Sequence, residues 1–183
     1  MKNWCADILR FWFDDTAPTN WFQVNADFDA TVTQRFSKAY EMGCDGVFDG
    51  WQTNADGALA LIVLLDQFPR NMFRNTPAAF ASDAQALSVA RKAVQAGFDL
   101  IHPPIRRRFM YLPFEHSESL DDQNQSVALF SKMQFDDPLG YEYALRHRHV
   151  IQAFGRFPHR NAILGRESVA AEKEFLGKLA SGF

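Results

Sequence analysis

The fold is decided by a spacing that is clearest in residues 25–43, NADFDATVTQRFSKAYEMG. Large apolar side chains recur there every four residues, at Phe28, Val32, Phe36 and Tyr40. This spacing places them on one face of an α-helix. Asn25 is a residue type that caps helix N-termini, and Gly43 is typical of helix C-termini. The stretch therefore predicts one amphipathic helix.

The same spacing returns along the rest of the chain. Further helices are expected to begin near Asn54 or Asp56, Thr76, Pro104, Ser119, Asp137 and Ser168. We expect the first of these to end at Pro69, the second to run to Gly97, and the last to include Leu179. No segment alternates apolar and polar residues with period two, so a sheet is not expected. Short connections favour antiparallel helix hairpins, and the sequence predicts one all-α, solenoid-type domain over residues 1–183.

Composition excludes several classes of protein. The chain has 183 residues, a net charge of −3 and two cysteines. Its longest apolar run, residues 58–65, is far shorter than the ~20 residues that a membrane helix needs, so neither a membrane span nor a signal peptide is expected. A pI near 5.9 lacks the basic excess typical of proteins that bind nucleic acid. So few cysteines favour a cytoplasmic protein.

The basic residues are mostly arginine. Of the 19 basic residues, 13 are Arg and 6 are Lys. Arginine is preferred where a planar, forked donor meets a carboxylate or a phosphate. Two interpretations stay open: the arginines pair with carboxylates inside the protein, or they line a pocket for an anion.

Three polar segments lie in apolar surroundings and provide the candidate ligand-binding residues. The first segment supplies Asp66, Gln67, Arg70, Asn71 and Arg74, the second Glu115, His116 and Glu118, and the third His159, Arg160 and Asn161. An isolated buried polar group costs ~1 to 3 kcal/mol, so we expect the segments to gather in one region.

In the first segment, Pro69 is expected to end the helix and free the following donors to converge on a ligand; the alternative is a local pair of Asp66 with Arg70. In the second, a helix that persists through a kink at Pro113 would place Glu115, Glu118 and Asp122 on one face. A histidine beside carboxylates is suited to acid–base chemistry, whereas a satisfied core histidine is the plainer interpretation.

The third segment belongs to a stretch, residues 146–166, that contains five arginines and no acid. These arginines need acids from elsewhere, such as the face with Glu115 and Glu118, or else they are open to an anionic ligand. His116 and Glu118 are two residues apart and point to different sides of a helix, as do His147 and His149. We therefore expect no metal site, and the common cofactor-binding motifs are missing, so no cofactor is predicted.

Four motifs in this order carry a resemblance. They are ILRFWF at residues 8–13, LDQFPRN at 65–71, LPFEHSE at 112–118 and FGRFPHRN at 154–161. Together the motifs resemble the bacterial family called domain of unknown function 924, over nearly the whole chain. The resemblance implies an all-helical, tetratricopeptide-like fold, and it implies no activity or catalytic residue. His149 stands where an acidic residue is expected in the family, so His149 is a poor candidate for an essential role.

Three functions are compatible with these patterns. The first is a helical binding module whose arginine, asparagine and histidine residues hold an acidic peptide or a small anion. The second is a small-molecule enzyme in which Glu115 or His116 moves a proton and Arg70, Arg74 or Arg160 fixes an anionic substrate. The third is a structural protein whose arginine–carboxylate network joins its helices.

Overall fold

The chain folds into α-helices joined by short turns. A computed structural model describes residues 3–178, and within this part of the chain there is no strand. The helices are α1 (Trp4–Leu9), α2 (Ala26–Cys44), α3 (Ala55–Ile62), α4 (Phe68–Met72), α5 (Asp83–Gln95), α6 (Pro104–Glu115), α7 (Leu120–Ser131), α8 (Pro138–Phe154) and α9 (Ala170–Lys178). The all-α prediction is confirmed; Leu179 lies outside the described residues.

Several helix ends lie where single residues predicted them. The Asn25 side chain accepts hydrogen bonds from the backbone at the start of α2, and the Asn54 side chain does the same for α3. Asp137 caps the start of α8, and Gly155, with φ of 67°, follows its last residue, Phe154. These side chains satisfy amide groups that lack a partner within the helix.

Pro69 does not end the helix that begins after Asn54, contrary to the prediction. A π-helical turn, Val63–Gln67, follows α3 directly, and α4 continues from it through Pro69 to Met72. Pro69 has no amide hydrogen for the Leu65 carbonyl, and the Ser82 hydroxyl donates to that oxygen at 2.6 Å instead. One buried serine thus allows a helical path across a proline.

Two other boundaries differ from the prediction. Thr76 precedes a separate short turn, Pro77–Phe80, and α5 begins only at Asp83. In addition, α6 runs through Pro113 but stops at Glu115. Glu118 and Asp122 therefore do not continue the face that carries Glu115, and the expected common face is wrong.

The core is rich in aromatic side chains. α3 and the π turn after it are almost wholly buried, and α1, α2, α5 and α6 pack around them. Trp12 contacts Phe28, Phe68 and Phe109 with ring centroids 5.5–6.0 Å apart. A smaller second core of Val150, Ile151 and Phe157 joins α8 to the C-terminal segment, residues 162–178, whose Phe175 packs against it.

Within residues 3–178, no helix has the length and apolar character needed to cross a membrane.

Candidate functional site

A cavity of about 560 Å³ lies between the first and second polar segments. This volume is in the range of small-molecule sites, ~300 to 1,000 Å³. Six of the predicted residues line it: Gln67, Arg70, Asn71, Arg74, Glu115 and His116. Its apolar wall consists of Trp21, Phe22, Leu112, Phe130 and Leu139. Phe22 and Leu139 are more than half exposed, so they stand at the mouth.

Asp66 and His116 form the contact that joins the two segments. His116 Nδ1 lies 2.7 Å from Asp66 Oδ1, and the Asp66 side chain is fully buried. Although burial opposes ionisation, Arg70 and His116 lower the pKa of Asp66 to about 2. Asp66 is therefore a carboxylate, and His116 donates to it from Nδ1. This tautomer leaves His116 Nε2 as a proton acceptor beside the cavity.

Burial keeps the His116 imidazole uncharged. Loss of solvent and the nearby Arg70 lower the pKa of His116, against the attraction of Asp66. A neutral imidazole is the form that accepts a proton. Asp66 fixes the orientation of the ring, as carboxylates do in many histidine-dependent sites.

Glu115 is a buried acid in the same cavity. Its Oε2 has no hydrogen-bond partner in the described structure, although the side chain is only 4% exposed. Burial, reinforced by Asp66 and Asp137 and opposed by Arg108, raises the pKa of Glu115 to about 8. Glu115 is therefore mostly a carboxylic acid at neutral pH. Glu115 lines the cavity, and an unsatisfied buried oxygen in such a residue is a feature that a ligand or a bound water could complete.

His147 and Arg108 also line the cavity and were not among the predicted site residues. His147 Nδ1 lies 2.9 Å from the Tyr143 carbonyl and 3.3 Å from Glu115 Oε1. Burial lowers the pKa of His147 to about 3, so this contact joins two uncharged groups. The sequence held a signal for His147, because it interrupts the apolar stripe of α8. Arg108 lies within a run of three arginines that gave no indication of which one faces a ligand.

Each arginine of the cavity is paired with a carboxylate. Arg70 contacts Asp83 with both terminal nitrogens, at 2.9 and 3.1 Å. Arg160 also contacts Asp83, at 3.5 Å. Asp83 thus connects Arg160 of the third segment to Arg70 of the first. Arg160 does not line the cavity; it packs over the rings of Phe80 and Phe157. Burial and the nearby Arg70 lower the pKa of Arg160 to about 10.

Arg74 and Arg108 share one mode of pairing. Arg74 donates from Nε and Nη2 to Asp29, at 2.8 Å in both bonds. Arg108 donates from the same two nitrogens to Asp137. Asn71 also donates to Asp29, at 2.8 Å. In both arginines the carboxylate takes one edge of the guanidinium, and Nη1 has no hydrogen bond in the described structure.

The remaining predicted residues hold the C-terminal segment in place. Glu118 accepts two hydrogen bonds from Arg166, at 2.7 and 2.9 Å, and one from the Phe157 amide. Asn161 accepts from Arg166 and donates to Glu172. Of the arginines in residues 146–166, Arg166 makes the expected pair with Glu118, whereas Arg156 and Arg160 pair with other acids. Neither Glu118 nor Asn161 lines the cavity.

His159 also lies outside the cavity lining, on the ring of Phe157 at 5.5 Å. Burial, together with Arg160, lowers the pKa of His159 to about 4. The described residues contain no cluster of three or more histidine, cysteine, aspartate or glutamate side chains placed to hold a metal ion.

The fold and the cavity define an all-helical protein with a buried carboxylate–histidine pair and a buried acid at one small-molecule pocket. Residues 8–179 match a family described as bacterial protein of unknown function (DUF924), and the chain belongs to that family. A solved structure of a protein of unknown function from Agrobacterium tumefaciens is 39% identical, with a TM-score of 0.89. The match covers 95% of this chain and 97% of that one. Among curated proteins, none matches the sequence.

Proposed function

We propose that the cavity is the active site of an enzyme that moves protons on a small organic molecule. The observation that carries this proposal is the contact of Asp66 with His116 at a cavity that also contains the unsatisfied carboxyl of Glu115. A binding module needs donors and acceptors, but it does not need an oriented base beside a protonated acid. This combination favours the enzyme over the binding module.

The two groups carry opposite roles at neutral pH. His116 is uncharged and accepts a proton at Nε2, because Asp66 occupies Nδ1. Glu115 still holds its proton and donates it from a carboxyl oxygen. Environments that separate the protonation states of two neighbouring groups are typical of acid–base sites.

One proton cycle is balanced by these residues. His116 removes a proton from a carbon or oxygen of the bound molecule while Glu115 protonates another atom of the same molecule. The molecule is then isomerised, with no net gain or loss of a proton. Return of the proton from His116 to Glu115, directly or through water, restores the resting state. Asp66 stabilises the imidazolium that forms between these steps.

The test is turnover in a mixture of small metabolites. Purified protein is incubated with a metabolite extract, and mass spectrometry and NMR follow which compounds change. Because isomerisation conserves mass, chromatographic separation or NMR is needed to detect the product. We expect a change with the wild type that His116→Gln and Glu115→Gln each reduce by about 100-fold or more, the usual contribution of general acid–base catalysis.

Glu142→Gln is the matched control, because Glu142 is half exposed and pairs with Arg146 on the surface of α8. This variant should keep the wild-type rate. Turnover that survives in both cavity variants, with the same product, contradicts the proposed roles of Glu115 and His116.

A further inference from the structure

The cavity also specifies what class of molecule it accepts. Resting on the proposed function, we infer that the substrate is an organic acid whose carboxylate is held by Arg74 and Arg108. The rest of the substrate lies along the apolar wall. Glu115 and His116 are then left free to act on the atoms between the two ends.

The two arginines are oriented for a ligand by their aspartates. Asp29 occupies Nε and Nη2 of Arg74, and Asp137 occupies the same edge of Arg108. Because the guanidinium is planar and rigid, fixing one edge also fixes the direction of Nη1. Each Nη1 carries two N–H donors. Both arginines line the cavity, and two guanidinium groups that each keep free N–H donors suit the oxygens of a carboxylate.

The charged groups around the cavity balance one another and leave hydrogen-bond donors free for an added anion. The four arginines in or beside the cavity are matched by four carboxylates, those of Asp66, Asp83, Asp29 and Asp137. Glu115 remains neutral and so does not repel a carboxylate. The donors in excess belong to cations, and hydrogen bonds from charged donors to an anion are stronger than those between neutral groups.

The apolar wall requires a hydrophobic part in the ligand. Trp21 and Phe130 are buried, whereas Phe22 is 59% exposed and Leu139 is 54% exposed. Phe22 is held in place by stacking on Phe109, with the rings 2° from parallel. A ring or hydrocarbon chain that covers this wall removes apolar surface from water at the mouth. A small inorganic anion would leave the wall bare.

Calorimetric titration with three probes tests the inference on the wild-type protein. Benzoate and benzamide have nearly the same shape and differ in charge, while acetate has the carboxylate without the ring. We expect benzoate to bind about tenfold or more tightly than either of the other two, since it alone satisfies both the arginines and the wall. Benzamide or acetate binding as tightly as benzoate overturns the inference.

The variant Arg108→Gln tests whether Arg108 holds the carboxylate of the ligand. Arg156→Gln is its matched control, because Arg156 also uses Nε and Nη2 on a buried carboxylate, Glu172, but lies outside the cavity. Benzoate binding should weaken about tenfold in the first variant and stay unchanged in the second. Equal loss in both variants, or loss in neither, contradicts the assignment. If Arg108→Gln does not fold, the comparison of probes on the wild type decides.

The binding test of this inference and the turnover test of the proposed function can fail independently. Selective benzoate binding without turnover of any metabolite would support an organic acid as the ligand while contradicting the enzyme. Turnover of a compound that has no carboxylate would support the enzyme and overturn the inference.

Discussion

At the scale of single residues, the proton on Glu115 links the chemistry of the cavity to the stability of the fold. Its ordinary pKa of 4.5 rises to about 8 in the folded protein. Between these values the unfolded chain releases a proton that the folded chain keeps. The stabilising effect of this proton is complete below pH 4.5 and is lost as the pH rises through about 8.

Glu115→Gln should remove this dependence on pH. Between pH 5 and pH 8 the wild type should lose about 1.4 kcal/mol of stability per pH unit through Glu115, and the variant should not. The free energy of unfolding of the variant minus that of the wild type should therefore rise by a few kcal/mol over this range. Urea denaturation at several pH values measures the difference. Glu142→Gln is the control, since its carboxylate is half exposed. Parallel stability curves for Glu115→Gln and the wild type would contradict a buried, protonated Glu115.

Asp66→Asn should change His116 as well as the stability. Loss of the carboxylate leaves His116 without the charge that favours its protonated form, so the pKa of His116 should fall further. Nitrogen chemical shifts of the ring follow this titration. The free energy of unfolding should drop by about 3 kcal/mol, as for other buried pairs that lose one partner. An unchanged His116 titration would show that Asp66 does not hold the ring.

At the scale of elements, the π turn after α3 depends on the side chain of Ser82, which lies at the start of another helix, α5. Ser82 is 1% exposed and precedes α5, and its hydroxyl donates to the Leu65 carbonyl beside Pro69. Ser82→Ala should lower the free energy of unfolding by about 1 to 3 kcal/mol, because that buried oxygen loses its donor. Ser131→Ala removes an exposed hydroxyl that donates to Ala128, and it should change stability by less than about 0.5 kcal/mol. Equal effects in thermal unfolding would contradict this role of Ser82.

Two helical glycines should respond in opposite ways to alanine. A Cβ on Gly57 would overlap the backbone carbonyl of Trp51, so Gly57→Ala should destabilise the protein by about 1 to 3 kcal/mol. A Cβ on Gly177 meets no atom, and Gly177→Ala should stabilise α9 by about 0.5 to 1 kcal/mol. The denaturation midpoints of the two variants test these opposite expectations. A tolerated Gly57→Ala would mean that α3 can move away from the turn before it.

The sequence predicted those features of the helices that depend on residues close together in the chain. Asn25 and Asn54 bond to amides two or three residues away, so residue type alone located two helix starts. The continuation through Pro69 was not predictable, because it depends on Ser82, which is distant in the sequence. The contact of Asp66 with His116 spans 50 residues. The sequence predicted that their two segments lie in one region, since both are polar in apolar surroundings, but it did not predict this pair. Sequence did not indicate Arg108 as a cavity residue, because nothing local distinguishes it from Arg106 and Arg107.

At the scale of the whole molecule, the C-terminal segment is attached differently from the rest. The main core includes residues from α1 to α8, whereas the segment that contains α9 packs on a small second core. Ion pairs supply much of the remaining attachment, chiefly Arg166 with Glu118 and Arg156 with Glu172. Regions with few buried apolar contacts open before the main core does.

Hydrogen exchange should therefore separate the two regions. Amides of α9 should exchange well before those of α3, and Arg166→Gln should speed exchange in the C-terminal segment while leaving α3 unchanged. Arg91→Gln is the control, because its pair with Asp122 does not involve that segment. Mass spectrometry of peptic fragments gives the rates. Uniform acceleration in α3 and α9 would show that the chain unfolds as one unit.

The π turn also limits how this chain can vary in length. A π-helical turn bonds residues five apart, so it holds one residue more than an α-helical turn. Deleting one residue from Val63–Gln67 would restore regular α-helical bonding with little rotation of α4, whereas deleting one residue from α3 would rotate the residues after it by about 100°. Arg70 and Arg74 would face away from the cavity only after the deletion in α3. Members of this fold that differ by one residue in this helical stretch should therefore differ at this turn.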